Sequence, residues 1–182
     1  MFDLEAFVAS ARAALRETQP ALAVRELVER AVSRPSDLDA ALGEADRWGM
    51  RTLHASADLT ILQLVWPPHV VLFPHDHRMW AANGIYGGGE DNIFYRRGVD
   101  GIAVSGGSHL GVGEVALLGP ESIHSVLNPH RTYTAALHVY GGDYFGTHRS
   151  QWDLVTGEEQ PFDVEAVRRT LAEADRATVA HR

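Results

Sequence analysis

The stretch VVLFPHDHRMW, residues 70–80, decides how this chain folds. An apolar, β-branched run ends on two histidines one residue apart. In an extended strand residues i and i+2 point to the same face, so His75 and His77 project side by side while Asp76 points away. Two readings fit these letters alone: a pair of metal ligands, or two polar residues where a strand leaves the core.

The surrounding sequence has the texture of a β-domain. From Arg51 to about Trp152, short β-rich runs (LTILQLVW, HVVLF, NIFYR, GIAVS, EVALL, SIHSVL, TYTAALHVY) alternate with turns bearing Pro and Gly. Most of the 17 glycines fall here, Gly87 to Gly89 in a row. Many short strands at this spacing indicate a sandwich or barrel. The flanks are helical. FDLEAFVASARAALRE carries apolar residues at helical spacing behind Asp3, a good N-cap. PALAVRELVERAVS starts at Pro20, and PSDLDAALGEA has Pro35 near its first turn, with Ser36 or Asp37 as caps and Gly43 towards its end. After Pro161 the pattern is helical again, with Asp163 as cap. The expected organisation is one domain over 1–182: a helical layer over 1–48, a β-barrel over 49–155 and a helix over 161–178. The helical layer has two uses open to it, a cap on the barrel or the surface of a homodimer.

Composition narrows the function. The chain has 182 residues, 45% apolar and 22% charged, as in ordinary soluble globular proteins. Its 16 basic and 24 acidic residues give a net charge of −8, which argues against nucleic acid or an anionic membrane as partner. No run has the apolar length of a membrane span, and MFDLEAF lacks the layout of a signal peptide, so a cytoplasmic protein is expected. There are no cysteines, so any transition metal must be held by His, Asp or Glu. Ten histidines leave that open, and also make one H-x-H pair unsurprising.

The pair does not stand alone. GPESIHSVLNPH, 119–130, places His124 in a β-like run after a Gly-Pro turn, four residues before Asn128. Two ligands from one strand and a third from a distant strand build a facial site with open positions. Three neutral imidazoles suit Fe(II), Ni(II), Cu(II) or Zn(II). In TAALHVYGGD, 134–143, alternation puts Ala136, His138 and Tyr140 on one face. Tyr140 is then able to present its hydroxyl to a cavity with His138 as its hydrogen-bond partner; an ordinary packed His-x-Tyr pair on a barrel wall has the same pattern.

These motifs, in this order, resemble the cupin superfamily, whose fold is a double-stranded β-helix, a mainly β jelly-roll barrel. Within it they resemble the thiol dioxygenases, the group that includes cysteine dioxygenase and 3-mercaptopropionate dioxygenase. The first cupin motif has two His around one residue, met by His75 and His77, then a Glu, then a Gly, met by Gly88 or Gly89. The Glu position falls on Ala81 or Ala82, and loss of that Glu with three His retained is the thiol dioxygenase pattern. The second motif's His-x-x-x-Asn is met by His124 and Asn128, behind Gly113 and Pro120. The resemblance covers about 51–155.

The resemblance implies a function and a set of roles. His75, His77 and His124 would hold Fe(II); the substrates would be a small thiol and O2, and the product a sulfinate. The family's Ser-x-His-x-Tyr becomes Ala136, His138 and Tyr140, without the first hydroxyl. The substrate carboxylate would be gripped by an arginine, as a planar guanidinium binds it through two N–H groups. Arg51 resembles the arginine of the cysteine-specific enzymes and Arg149 that of the bacterial 3-mercaptopropionate enzymes; a solvated surface arginine is the other reading for each. Glu90, thirteen residues past His77, reads as a turn carboxylate or a salt-bridge partner. His54, His69, His109, His130, His148 and His181 belong to no motif. Two other functions stay open: a different reaction on the same metal site, such as a lyase, an isomerase or a non-thiol dioxygenase, and a non-enzymatic small-molecule-binding cupin.

Overall fold

The computed structural model describes residues 1–99 and 101–180; His181 lies outside them. Asp3 caps α1 (Leu4–Ala14), its carboxylate accepting the Ala6 N–H at 3.0 Å. Prolines open α2 (Pro20–Val32) and α3 (Pro35–Leu42) at the first helical position, where a missing N–H costs nothing. Neither Ser36 nor Asp37 caps α3. Pro35 fixes the helix start, so the cap position is Arg34, whose side chain makes no capping bond. At the other end of the chain, α4 (Val164–Ala180) follows Asp163, which accepts the Glu165 N–H at 2.8 Å.

Among the described residues, eleven strands form between the helices: β1 (Gly49–Ala55), β2 (Thr60–Trp66), β3 (Val71–Asp76), β4 (Ala81–Gly87), β5 (Gly89–Gly98), β6 (Gly101–Gly111), β7 (Val115–Leu118), β8 (Ile123–Leu127), β9 (Thr134–Tyr140), β10 (Ser150–Trp152) and β11 (Glu159–Pro161). One sheet has the order β1-β2-β9-β4-β7, the other β11-β10-β3-β8-β5-β6. The pairing has a simple rule. β5 turns back onto β6, and then β4 pairs β7, β3 pairs β8 and β2 pairs β9, all antiparallel. One long hairpin wound across two sheets is the double-stranded β-helix, so the chain has the cupin jelly-roll architecture that its motifs predict.

Strict alternation sorts the side chains of the central strands. On β2, Ile61 packs outward with the helices while Leu62, Leu64 and Trp66 enter the barrel. On β9, Leu137 and Val139 face the helices and Tyr140 the interior. Because both faces are covered, every residue of β2 and β9 is buried.

β4 is absent from the β-rich runs of the sequence, because AANGIYG combines small residues, an Asn and glycines that strands disfavour. Packing explains the glycine. α2 lies against β4, and a Cβ on Gly84 would stand 2.5 Å from Val28 Cγ1 and 2.8 Å from Val32 Cγ1. No helix among the described residues is long and apolar enough to cross a membrane.

Candidate metal centre

The antiparallel register of β3 and β8 sets His75 directly opposite His124. Both side chains therefore point to one face, and His77, just past the end of β3, joins them. The three rings are 4.6 to 5.2 Å apart, and one ligand atom from each lies within 4.8 Å of the others. His77 Nε2 and His124 Nε2 are 3.0 Å apart. Bonds of about 2.1 Å at right angles to one ion would put two nitrogens about 3.0 Å from each other. The donor set fits a divalent metal.

Protonation and tautomer fit as well. Burial first, then the charge of Arg149, lowers His75 to about 4; burial and the neighbouring histidines hold His77 and His124 well below the usual imidazole range. All three are neutral near pH 7. A carbonyl can only accept, so the 3.1 Å contact of His75 Nδ1 with Phe73 O puts the proton on Nδ1 and the lone pair on Nε2. The Asn92 amide oxygen does the same for His124 Nδ1 at 2.7 Å. His77 Nδ1 is buried without a partner.

The remaining walls come from several elements. Leu64, Leu72, Val126 and Val167 of α4 supply apolar surface, and the free volume is about 10 Å³, enough for roughly one water. His138 Nδ1 and the Tyr140 hydroxyl share a 3.0 Å hydrogen bond. His138 Nε2 is left buried without a partner, and Ala136, two residues earlier on the same strand, has no hydroxyl to offer it. Burial lowers His138 to about 3 and raises the Tyr140 phenol well above its ordinary value.

The two arginines part company. Met50 lines the pocket, so Arg51, one residue on, points to the opposite face of β1. It is exposed, and its Nη1 donates to the Leu42 carbonyl at 3.2 Å. Arg149 is buried at 7% exposure. Its guanidinium lies 4.0 Å from the centre of the Tyr144 ring and 4.0 Å from that of Phe162. Its Nη1 donates to the Tyr144 carbonyl, and its Nε and Nη2 have no partner. No acidic side chain pairs with it among the described residues.

Four site residues were not singled out in the sequence for this place: Tyr144, Phe162, Asn92 and Glu90. Tyr144 lies against both Tyr140, with rings 4.6 Å apart, and His77, at 6.3 Å. Phe162 sits 5.6 Å from the His75 ring. Glu90 corrects an expectation. It is neither in a turn nor ion-paired but fully buried on β5, where it accepts a hydrogen bond from Asn92 Nδ2 at 3.0 Å. Period-2 alternation of Glu90, Asn92 and Phe94 carried the signal, but only knowledge of which strand borders β8 gives it meaning.

No family model matches the chain. Among solved structures, the chain is similar to the DMSP lyase DddQ from Ruegeria pomeroyi, at 19% identity and a TM-score of 0.45 over 57% of this chain and 51% of that one. It is also similar to a cupin superfamily protein from Desulfitobacterium hafniense (12%, 0.45, 54% and 80%) and to oxalate decarboxylase from Bacillus subtilis (15%, 0.40, 50% and 22%). The chain spans about half the length of the lyase. The strand order defines the fold, and the three histidines define a site able to hold a metal.

Proposed function

We propose that the protein is a thiol dioxygenase, an Fe(II) enzyme that oxidises a small carboxylated thiol to its sulfinate with O2. The observation that carries this reading is Arg149: a buried, unpaired cation with two donor nitrogens free, Nε and Nη2, beside three neutral imidazoles. Burying an unpaired charge is costly, and an anionic substrate removes the cost. The motif resemblance supplies the reaction class.

Fe(II) held by His75, His77 and His124 would supply the redox chemistry that joins O2 to sulfur. Neutral imidazoles leave the dication's charge intact, which favours a thiolate over a neutral donor. Overall, a thiol and O2 give a sulfinate and a proton; sulfur is oxidised, O2 is reduced, and both oxygen atoms end on sulfur. Arg149 binds the carboxylate through Nε and Nη2, its plane fixed by the Tyr144 and Phe162 rings. Tyr140 keeps its proton near neutral pH. With His138 donating from Nδ1, the phenol O–H is free to donate into the pocket and orient what is bound there. Leu64, Leu72 and Val126 keep bulk water out.

The test is an oxygen electrode and a thiol panel. Fe(II)-loaded protein should consume O2 with at least one of cysteine, 3-mercaptopropionate and mercaptosuccinate, and more slowly with cysteamine, which has no carboxylate. Consumption with none of the four overturns the reading.

A further inference from the structure

β5 carries Glu90, Asn92 and Phe94 on one face, and its register against β8 sets Phe94 opposite His124 and Asn92 opposite Val126. Phe94 stacks on the His124 ring at 6.4 Å with planes 17° apart. Asn92, on the diagonal, reaches His124 Nδ1 with its amide oxygen at 2.7 Å. Its amide nitrogen donates to Glu90 Oε1 at 3.0 Å. Glu90 is 0% and Asn92 2% exposed.

An asparagine amide has a donor end and an acceptor end of nearly the same shape. Turned over, Asn92 would offer N–H to His124, favour the tautomer protonated on Nε2, and remove the lone pair that faces the other two histidines. Glu90 decides between the two orientations, because its oxygen accepts from the amide nitrogen and leaves only the amide oxygen for His124. A buried carboxyl needs such a reason: an apolar residue at that place would be cheaper, and no ion pair holds Glu90 among the described residues. Burial pushes its carboxyl up to about 7, against the opposing pull of the Asn92 amide and the Trp66 indole.

We propose that Glu90 is a positioning residue for the metal centre: by orienting the Asn92 amide it fixes His124 in the tautomer that presents Nε2 to the ion. The role rests on the metal reading above.

The experiment combines Co(II) affinity, measured by chelator competition, with ¹⁵N NMR of the imidazole nitrogens in metal-free protein. Wild type should show His124 protonated on Nδ1 and should bind Co(II). Glu90→Met, of similar size but with no acceptor of that kind, should show a mixed or Nε2-protonated His124 and bind Co(II) roughly 10–100-fold more weakly. Glu90→Met that matches wild type in both readouts overturns the proposal. So does an Nε2-protonated His124 in wild type, which keeps the test decisive if Glu90→Met does not fold. Wild type that takes up no Co(II) overturns the metal reading and this role with it; wild type that binds it while Glu90→Met binds it equally well overturns this role alone.

Discussion

The Ser150 N–H donates to Asp76 Oδ1 at 2.8 Å. Asp76, between His75 and His77, thus holds the backbone next to Arg149 and ties β10 to the end of β3. Asp76 is 2% exposed and also pairs with Arg78 Nε at 2.8 Å. Asp76→Ala leaves the part-buried Ser150 N–H without its partner and removes one of the ties between β10 and β3. Urea unfolding should show a loss of about 1–3 kcal/mol, with KM for a carboxylated thiol raised through displacement of Arg149. An unchanged unfolding midpoint would remove Asp76 from this role.

Arg149→Met should raise KM for a carboxylated thiol about 10–100-fold, the equivalent of about 1.5–3 kcal/mol for hydrogen bonds to a charged group. KM for cysteamine should move little. The metal-free variant should be no less stable than wild type, because a buried unpaired charge has gone. Arg51→Ala, on the far face of β1, serves as the control and should leave KM unchanged for both. Equal effects of Arg149→Met on the two substrates would refute the carboxylate clamp.

Metal-free protein should lose stability on mild acidification. Between pH 6.5 and about 4 the unfolded chain protonates His75 while the folded chain does not, so protons favour unfolding in that window. His77 and His124 act in the same direction, and so does His138, lowered to about 3. Glu90 opposes them: its folded carboxyl titrates at about 7 against an ordinary 4.5, so its contribution is lost as pH rises through that range. Four imidazoles outweigh one carboxyl, and the urea midpoint should fall as pH drops from about 6.5 to about 5. A midpoint that rises over that interval would contradict the buried neutral triad.

Gly84→Val should destabilise the protein by about 1–3 kcal/mol, read as a lower melting temperature. The new side chain enters space already held by Val28 and Val32, so the α2 contact with β4 must shift. The metal-facing side of the barrel should be spared, with Co(II) affinity near wild type. Wild-type melting would mean that α2 yields freely.

The β-rich texture and the side-by-side pair His75 and His77 were legible in the sequence because both depend on spacing within single strands; the winding of the barrel and the place of His124 followed only from the resemblance, since both depend on which strands pair. HDH, IHSVLN and LHVY each carry their information in a few consecutive letters, and parity alone puts His75 beside His77. What was illegible depends on register between strands. Arg51 and Met50 are neighbours, and a shift of one residue decides which of them faces the pocket. Glu90 looked like a turn residue after three glycines, since nothing local says that β5 runs beside β8. Tyr144 and Phe162 lie in loops whose course is set only by tertiary packing, and β4 hides behind small residues chosen to fit α2.

The pocket as it stands has room for about one water. The thiol acid proposed as substrate is larger, so its entry would require the wall to yield, and part of that wall is Val167 on the C-terminal helix. That helix is pinned to the barrel by Leu171, buried with Val167 among the interior side chains, and by the Tyr133 hydroxyl donating to Asp175 Oδ1 at 2.6 Å. Access and helix docking thus draw on the same contacts. Strengthening the grip on α4 should raise the melting temperature and slow the entry of small molecules together.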